Sequence, residues 1–196
     1  MNVLVLSLPA QADYLWLKRE GAVAEARVGE LHKPLTQLPA LLEARTPGPD
    51  GKPLPLDLAA DRIRFAPAAA GDLRFTAMRP DANGVLTYFH ARFGRSETQA
   101  VNDLELVPTE PGGNKFRLIF KGRPVAASHV NVETSEGWRR TLTPAQDGTV
   151  GFDPSFPGLY LLTVTARLNN GSVTLDGKTY SDVRHTATLS FEVAPR

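Results

Sequence analysis

KFRLIFKGRPVAASHVNVETSEGWRRTLTPAQDGTVGFDPSFPGLYLLTVTA, running from Lys115 to Ala166, is the stretch that decides the fold. Short alternating apolar runs are cut by Lys121-Gly122-Arg123-Pro124, by Gln146-Asp147-Gly148 and by Phe156-Pro157-Gly158. Apolar residues at every second position share one face of a strand, and Gly, Pro and Asp supply the reversals. The stretch therefore predicts short antiparallel strands packed as a β-sandwich. Strands are expected near Phe116–Lys121, Val130–Thr134, Trp138–Thr143, Thr149–Phe152, Gly158–Ala166 and Ser181–Val193, with Asn169-Asn170-Gly171 and Asp176-Gly177 as loop signals before the last. In that last strand Val183, His185, Ala187, Leu189, Phe191 and Val193 fall on the inward face, and Thr186, Thr188 and Ser190 point outward. In the strand before it, Tyr160, Leu162, Val164 and Ala166 share one side.

The same pattern, less regular, continues toward the N-terminus. Tyr14–Leu17 and Val23–Val28 read as a hairpin around Glu20-Gly21. Leu35 to Ala44 has weak helical spacing, but Pro34 and Pro39 allow at most a turn of helix. Pro47 to Pro55 holds four prolines and reads as an extended, exposed loop. Arg62–Phe65, Asp72–Ala77 and Val85–Phe93 are further expected strands, with turns at Gly71-Asp72 and Asp81–Gly84. A Pro- and Gly-rich boundary runs from Val107 to Asn114, and the strand before it, Asn102–Val107, could pair with either side. The expectation is an all-β protein of two β-sandwich-like lobes, with an N-terminal β-rich domain over 13–107 and an Ig/prealbumin-like sandwich over 108–196.

Composition narrows the function. The 196 residues carry 22 Lys and Arg against 21 Asp and Glu, so the basic footprint of a nucleic-acid binder is absent. With no cysteine, disulfides and thiolate metal sites are excluded. The start, MNVLVLSLPAQA, is apolar from Val3 to Leu8 and ends in Ala10-Gln11-Ala12. It reads as a partial signal peptide over residues 1–12, cut before Asp13, or alternatively as an N-terminal strand. The first reading places the mature chain in the periplasm or otherwise outside the cell membrane, with no transmembrane anchor.

Two resemblances follow. Lys121–Val125, Gly137-Trp138-Arg139, Asp147–Phe152 and Pro157–Tyr160 resemble a prealbumin-like module of the kind found as regulatory-type domains in carboxypeptidases and bacterial surface proteins. That resemblance implies a fold and no function. Asp13–Leu17, Gly29-Glu30, Tyr88–Arg92, Gly137-Trp138, Pro157–Tyr160 and Val183–Leu189 resemble a family of exported bacterial proteins of unknown function, often labelled a periplasmic component of cobalt or nickel transport. The resemblance implies an accessory role in divalent metal uptake, with nickel, cobalt or copper as the ion and a membrane transporter or outer-membrane receptor as partner. Its relatives commonly begin the mature chain with His-Tyr-Leu-Trp-Leu; here Asp13 stands in place of that histidine.

No local metal motif joins His32, His90, His129 and His185. A site assembled across strands would use His185, the α-amine and carboxylate of Asp13, and Glu30 or His32, a nitrogen and oxygen set suited to nickel, copper or zinc. The competing readings are a buried His185 and a solvated His32. Tyr88, His90 and Arg92 alternate on the face opposite Phe89 and Ala91 and form an expected outward binding row. Trp16 and Trp138 read as core or inter-lobe anchors, and Arg139-Arg140 as a solvated edge. There is no Gly-x-Ser-x-Gly elbow, no phosphate loop and no defensible pair of facing carboxylates, so the chain reads as non-enzymatic. The alternative to metal handling is a recognition module that binds a protein or glycan without metal.

Overall fold

The computed structural model describes residues 13–48, 50–67, 71–126, 129–167 and 171–195. The segment read as a signal peptide or a strand, residues 1–12, and the loop signals Asn169 and Asn170 lie outside them.

Every regular element among the described residues is a strand. The first nine are β1 (Leu15–Glu20), β2 (Val23–Glu30), β3 (Lys33–Pro34), β4 (Leu42–Arg45), β5 (Asp57–Leu58), β6 (Ile63–Phe65), β7 (Leu73–Pro80), β8 (Val85–Phe93) and β9 (Leu104–Pro108). They are followed by β10 (Lys115–Phe120), β11 (Arg123–Pro124), β12 (Val130–Thr134), β13 (Arg139–Leu142), β14 (Thr149–Gly151) and β15 (Gly158–Arg167). The chain finishes with β16 (Val173–Leu175), β17 (Lys178–Tyr180) and β18 (Asp182–Val193). The helical turn expected within Leu35–Ala44 does not form: the two prolines leave an extended chain that ends in β4. Lys121 and Gly122 both take positive φ, 47° and 76°, the geometry that a two-residue hairpin turn between β10 and β11 requires.

A seven-stranded sheet, ordered β13-β12-β15-β18-β8-β7-β4, runs through the whole molecule. Its one parallel pair is β18 with β8. A sheet of β1-β2-β6-β5, with β3 beside β2, makes one lobe, and a sheet of β11-β10-β14, with β9 beside β10, makes the other. The strand before the Pro-Gly boundary thus pairs with the C-terminal side, Leu106 opposite Leu118.

The two lobes pack on opposite faces of the long sheet. Leu15, Leu17, Ala24, Ala26, Ile63 and Phe65 form one core with Phe75, Ala77, Phe89 and Ala91. Leu104, Leu106, Phe116 and Leu118 form another with Tyr160, Leu162, Ala187, Leu189 and Phe191. Register fixes which residues share a face: Phe89 and Ala91 stand beside Thr186 and Thr188, and His90 beside Ala187. The expected outward face of β18 is therefore corrected. Thr186, Thr188 and Ser190 are buried because β1 covers them, and the hydroxyls of Thr188 and Ser190 donate to the carbonyls of Leu15 and Leu17. Trp16 packs on Leu159 and Leu161 of the long sheet while its indole N–H donates to Gly29 O at 3.1 Å. Tyr160 is buried beneath the Pro157-Gly158 corner, its hydroxyl donating to Phe156 O at 3.0 Å.

A buried charge cluster ties β7, β8 and β9 together. Arg92 is fully buried and donates to Asp72 and, at 2.8 Å, to Glu105. Arg74 shares the same Glu105 oxygen at 3.1 Å and also reaches Glu97. Removing one partner of such a cluster strands the remaining charges out of water. Arg92→Met should therefore lower stability by about 3–5 kcal/mol in urea denaturation, whereas Arg140→Ala at the exposed β13 edge should change it by no more than about 0.5 kcal/mol.

Candidate functional site

Alternation places Tyr88, His90 and Arg92 on one face of β8, as their spacing implies, but that face is not turned to solvent. His90 is 7% exposed and Arg92 is 0% exposed; only Tyr88 is partly open. The expected outward row is corrected because β9 approaches this side of β8, Glu105 receiving Arg92, while His185 of β18 lies against His90. Arg92 is consumed by Asp72 and Glu105, which leaves Tyr88 and His90 as the groups with chemistry to offer.

The parallel β8–β18 pair puts His185 directly beside Tyr88. Their rings lie face to face, 4.8 Å apart at 10°. His90 Nε2 is 3.0 Å from His185 Nδ1, with the two ring planes 3° apart and their centroids 5.3 Å apart. Nearly parallel planes with the nitrogens in contact describe an in-plane, edge-to-edge hydrogen bond, not a face stack. Phe120 closes the row with its edge against His185. Because Nε2 is turned to His185, His90 Nδ1 faces away from β18; it is buried and has no hydrogen-bond partner. An unsatisfied buried polar atom costs about 1–3 kcal/mol.

Above Tyr88 and His90 is a cleft of about 400 Å³. Thr76 and Met78 complete its floor, Glu43, Arg45 and the Pro47–Pro53 turn form one wall, and Val101, Asn102 and Asp103 form the other. The register of β4 against β7 shifts between Leu42 and Arg45, and Glu43 takes φ 50°. A bulge of this kind re-aims a side chain, and a non-glycine residue held at positive φ costs about 1–3 kcal/mol. Both neighbouring histidines are held below the ordinary imidazole value. Burial, with His185 adding to it, lowers His90 to about 4. Burial also lowers His185, against the pull of Asp103. Tyr88 is raised by burial and then by the negative charges of Glu43 and Asp103.

The metal set assembled from the sequence is not brought together. Asp13 pairs with Arg79 at 2.8 Å, and that guanidinium lies over the Phe89 ring, in the first-lobe core. His185 and His90 are on the other face of the same sheet, so the sheet stands between Asp13 and His185. Glu30 pairs with Arg139 across the lobes at 3.0 Å, and His32 is exposed. Among the described residues no group of three or more His, Cys, Asp or Glu side chains gathers in a way that could hold a metal ion. What the structure does unite is His185 with Tyr88 and His90, drawn from two separate expected sites. Glu43 and Asp103 are absent from the sequence reading; the cleft forms only through the β4 bulge and the approach of β9, and neither has a local signature.

No protein-family model matches this chain, and no curated protein matches it.

The buried histidine sets a pH response. An unfolded imidazole takes its proton near pH 6.5, whereas folded His90 does so only near 4. Between those values the unfolded chain binds more protons, so stability is full above about pH 6.5 and falls as pH drops toward 4. The His90 share of the loss should reach about 3 kcal/mol at most. Urea denaturation at about pH 7 and about pH 4.5 should show it, and His90→Gln should reduce the difference, the remainder coming in part from His185, which burial also lowers. Glu25 does not confuse the window: its burial is outweighed by Arg62 and Arg27, which bring its carboxyl to about 2.

Proposed function

We propose that this protein is a non-enzymatic recognition module whose cleft over Tyr88 and His90 binds a protein or glycan without a metal. The observation that carries this reading is a cleft of about 400 Å³ lined by Tyr88 and His90, one wall of which is a strained, bulged strand. Costly local geometry beside an open cleft supports a binding role. In the same reading the second lobe is an Ig/prealbumin-like sandwich, supported by its two facing sheets and by the Tyr160 corner. The export reading of residues 1–12 places the module outside the cytoplasm. No helix among the described residues is long and apolar enough to cross a membrane.

An accessory role in nickel, cobalt or copper handling, presenting the ion to a membrane transporter or outer-membrane receptor, is the weaker proposal. Its ligands His185, Asp13, Glu30 and His32 are each engaged or placed apart. Thermal melts with Ni²⁺, Co²⁺, Cu²⁺ and Zn²⁺ separate the two. An ion that binds only the folded state raises stability by about 2.7 kcal/mol at a hundredfold excess over its dissociation constant. The recognition reading expects no selective rise. A rise for one ion that disappears in His185→Ala would overturn it and restore metal handling.

A further inference from the structure

We propose that Asn83 is a site of self-modification, at which the backbone nitrogen of Gly84 displaces the side-chain amide as ammonia and leaves aspartate or isoaspartate in the turn. The residue stands at the tip of the β7–β8 hairpin, in Asp81-Ala82-Asn83-Gly84, and it is exposed. Four asparagines lie among the described residues, Asn83, Asn102, Asn114 and Asn131, and the structure separates them. Asn102 donates from its side chain to Ala91 O, Asn114 accepts from Arg95, and Asn131 accepts from Thr141 at 2.9 Å. Among the described residues no hydrogen bond engages the side chain of Asn83, so its amide is free to turn back on its own main chain.

The attacking atom is held loosely by the same turn. Asp81 Oδ1 accepts from the backbone N–H groups of Asn83 and Val85, each at 2.8 Å. The N–H of Gly84 reaches only Asp81 O, at 3.5 Å, beyond the usual range for such a bond. Little is therefore lost when that nitrogen leaves its partner. Gly84 has φ 81°, and a Cβ at this position would meet nothing within 4 Å. Open space surrounds the residue, and with no side chain of its own it does not shield the nitrogen.

The step is a displacement with no change of oxidation state. A hydroxide ion of the solvent takes the Gly84 N–H proton, the nitrogen forms a bond to Asn83 Cγ, and the Cγ–Nδ2 bond breaks. Nδ2 leaves as ammonia after taking a proton from water, which restores the hydroxide. Water then opens the cyclic imide. Opening at Cγ leaves an ordinary aspartate; opening at the main-chain carbonyl leaves isoaspartate, whose backbone runs through Cβ and Cγ and is a methylene longer. The residues that follow are Val85, which stands beside Asp182 at the first rung of the parallel pair, and Leu86, fully buried and opposite Pro80. A turn of fixed length sets the register of its hairpin, so the added methylene loosens the start of β8 against β18.

The test incubates the full chain in mildly alkaline buffer, folded and in urea, and follows each asparagine by peptide mapping and mass spectrometry. In the folded chain the peptide holding Asn83 should gain the mass of an amide-to-acid exchange before those holding Asn102, Asn114 or Asn131. Its rate should be comparable in urea, whereas the other three should speed up once their side-chain bonds are gone. The other Asn-Gly pair, Asn170-Gly171, whose asparagine lies outside the described residues, is read from its own peptide. Asn83→Gln should abolish the gain and leave the melting temperature of fresh protein unchanged, since the side chain is exposed and unbonded. In the aged protein the amides of Val85 and Leu86 should exchange with solvent faster than in fresh protein, while Ala24 and Ala26 of β2 stay protected. An unaltered Asn83 in the folded chain, or its reaction only in urea, would overturn the proposal. A reacted turn with unchanged exchange at Val85 and Leu86 would overturn its effect on register.

Discussion

The parallel pairing of β8 with β18, from Val85 beside Asp182 to Phe93 beside Ser190, is the constraint on which the other features depend. Parallel strands are found where both faces are covered, because the crossover that joins them brings other elements over the sheet. Here the crossover is most of the second lobe. It carries β9 to β17 away from β8 and returns β18 to lie against it, so that one lobe buries Phe89 and Thr188 and the other buries Ala187 and Leu189. The same register sets His185 beside Tyr88 and in reach of His90. Without the parallel pair there would be two cores and no shared site.

The buried charges serve that arrangement at a cost. Asp72, Glu105 and Arg92 are almost fully removed from water, and an apolar trio of the same volume would be at least as stable in general terms. What the charges supply is direction. Glu105 accepts from Arg92 and Arg74 with one oxygen and from the backbone N–H groups of Val101 and Asn102 with the other. The cluster therefore joins the β7–β8 hairpin to the entry of β9 and holds the wall of the cleft. Hydrophobic contact alone would not specify that position, since it has no preferred orientation.

Much of the architecture could be read from alternation and turn chemistry. The hairpin at Glu20-Gly21, the strand Val85–Phe93 and the strands of the second lobe stand where the period-two runs and their Gly, Pro and Asp breaks put them. The errors share one cause. Thr186, Thr188 and Ser190 look like a solvent face, yet the hydroxyls of Thr188 and Ser190 bond the backbone of a strand 173 residues earlier in the chain and that of Thr186 bonds Tyr88 O. Arg92 looks like a surface charge because its partners, 20 and 13 residues distant, lie on other elements. A polar residue announces its chemistry in the sequence but not its partner, so burial on both faces of a sheet is invisible to a local pattern. The candidate site was half legible for the same reason: Tyr88, His90 and His185 were singled out, but as members of separate sets.

The place of β18 at the centre of the long sheet also orders events in time. Until residues 182–193 are available, β8 and β15 each present an unpaired edge, and neither lobe has its full floor. Contacts that join segments nearly a hundred residues apart form late, because the loop they close is long. The first core, from Leu15 to Ala91, is drawn wholly from the N-terminal strands, so what waits for the last strand is the part of its floor at Thr188 and Ser190. The last long strand is therefore the piece that joins the two halves of the long sheet, with β15 on one side of it and β8 on the other.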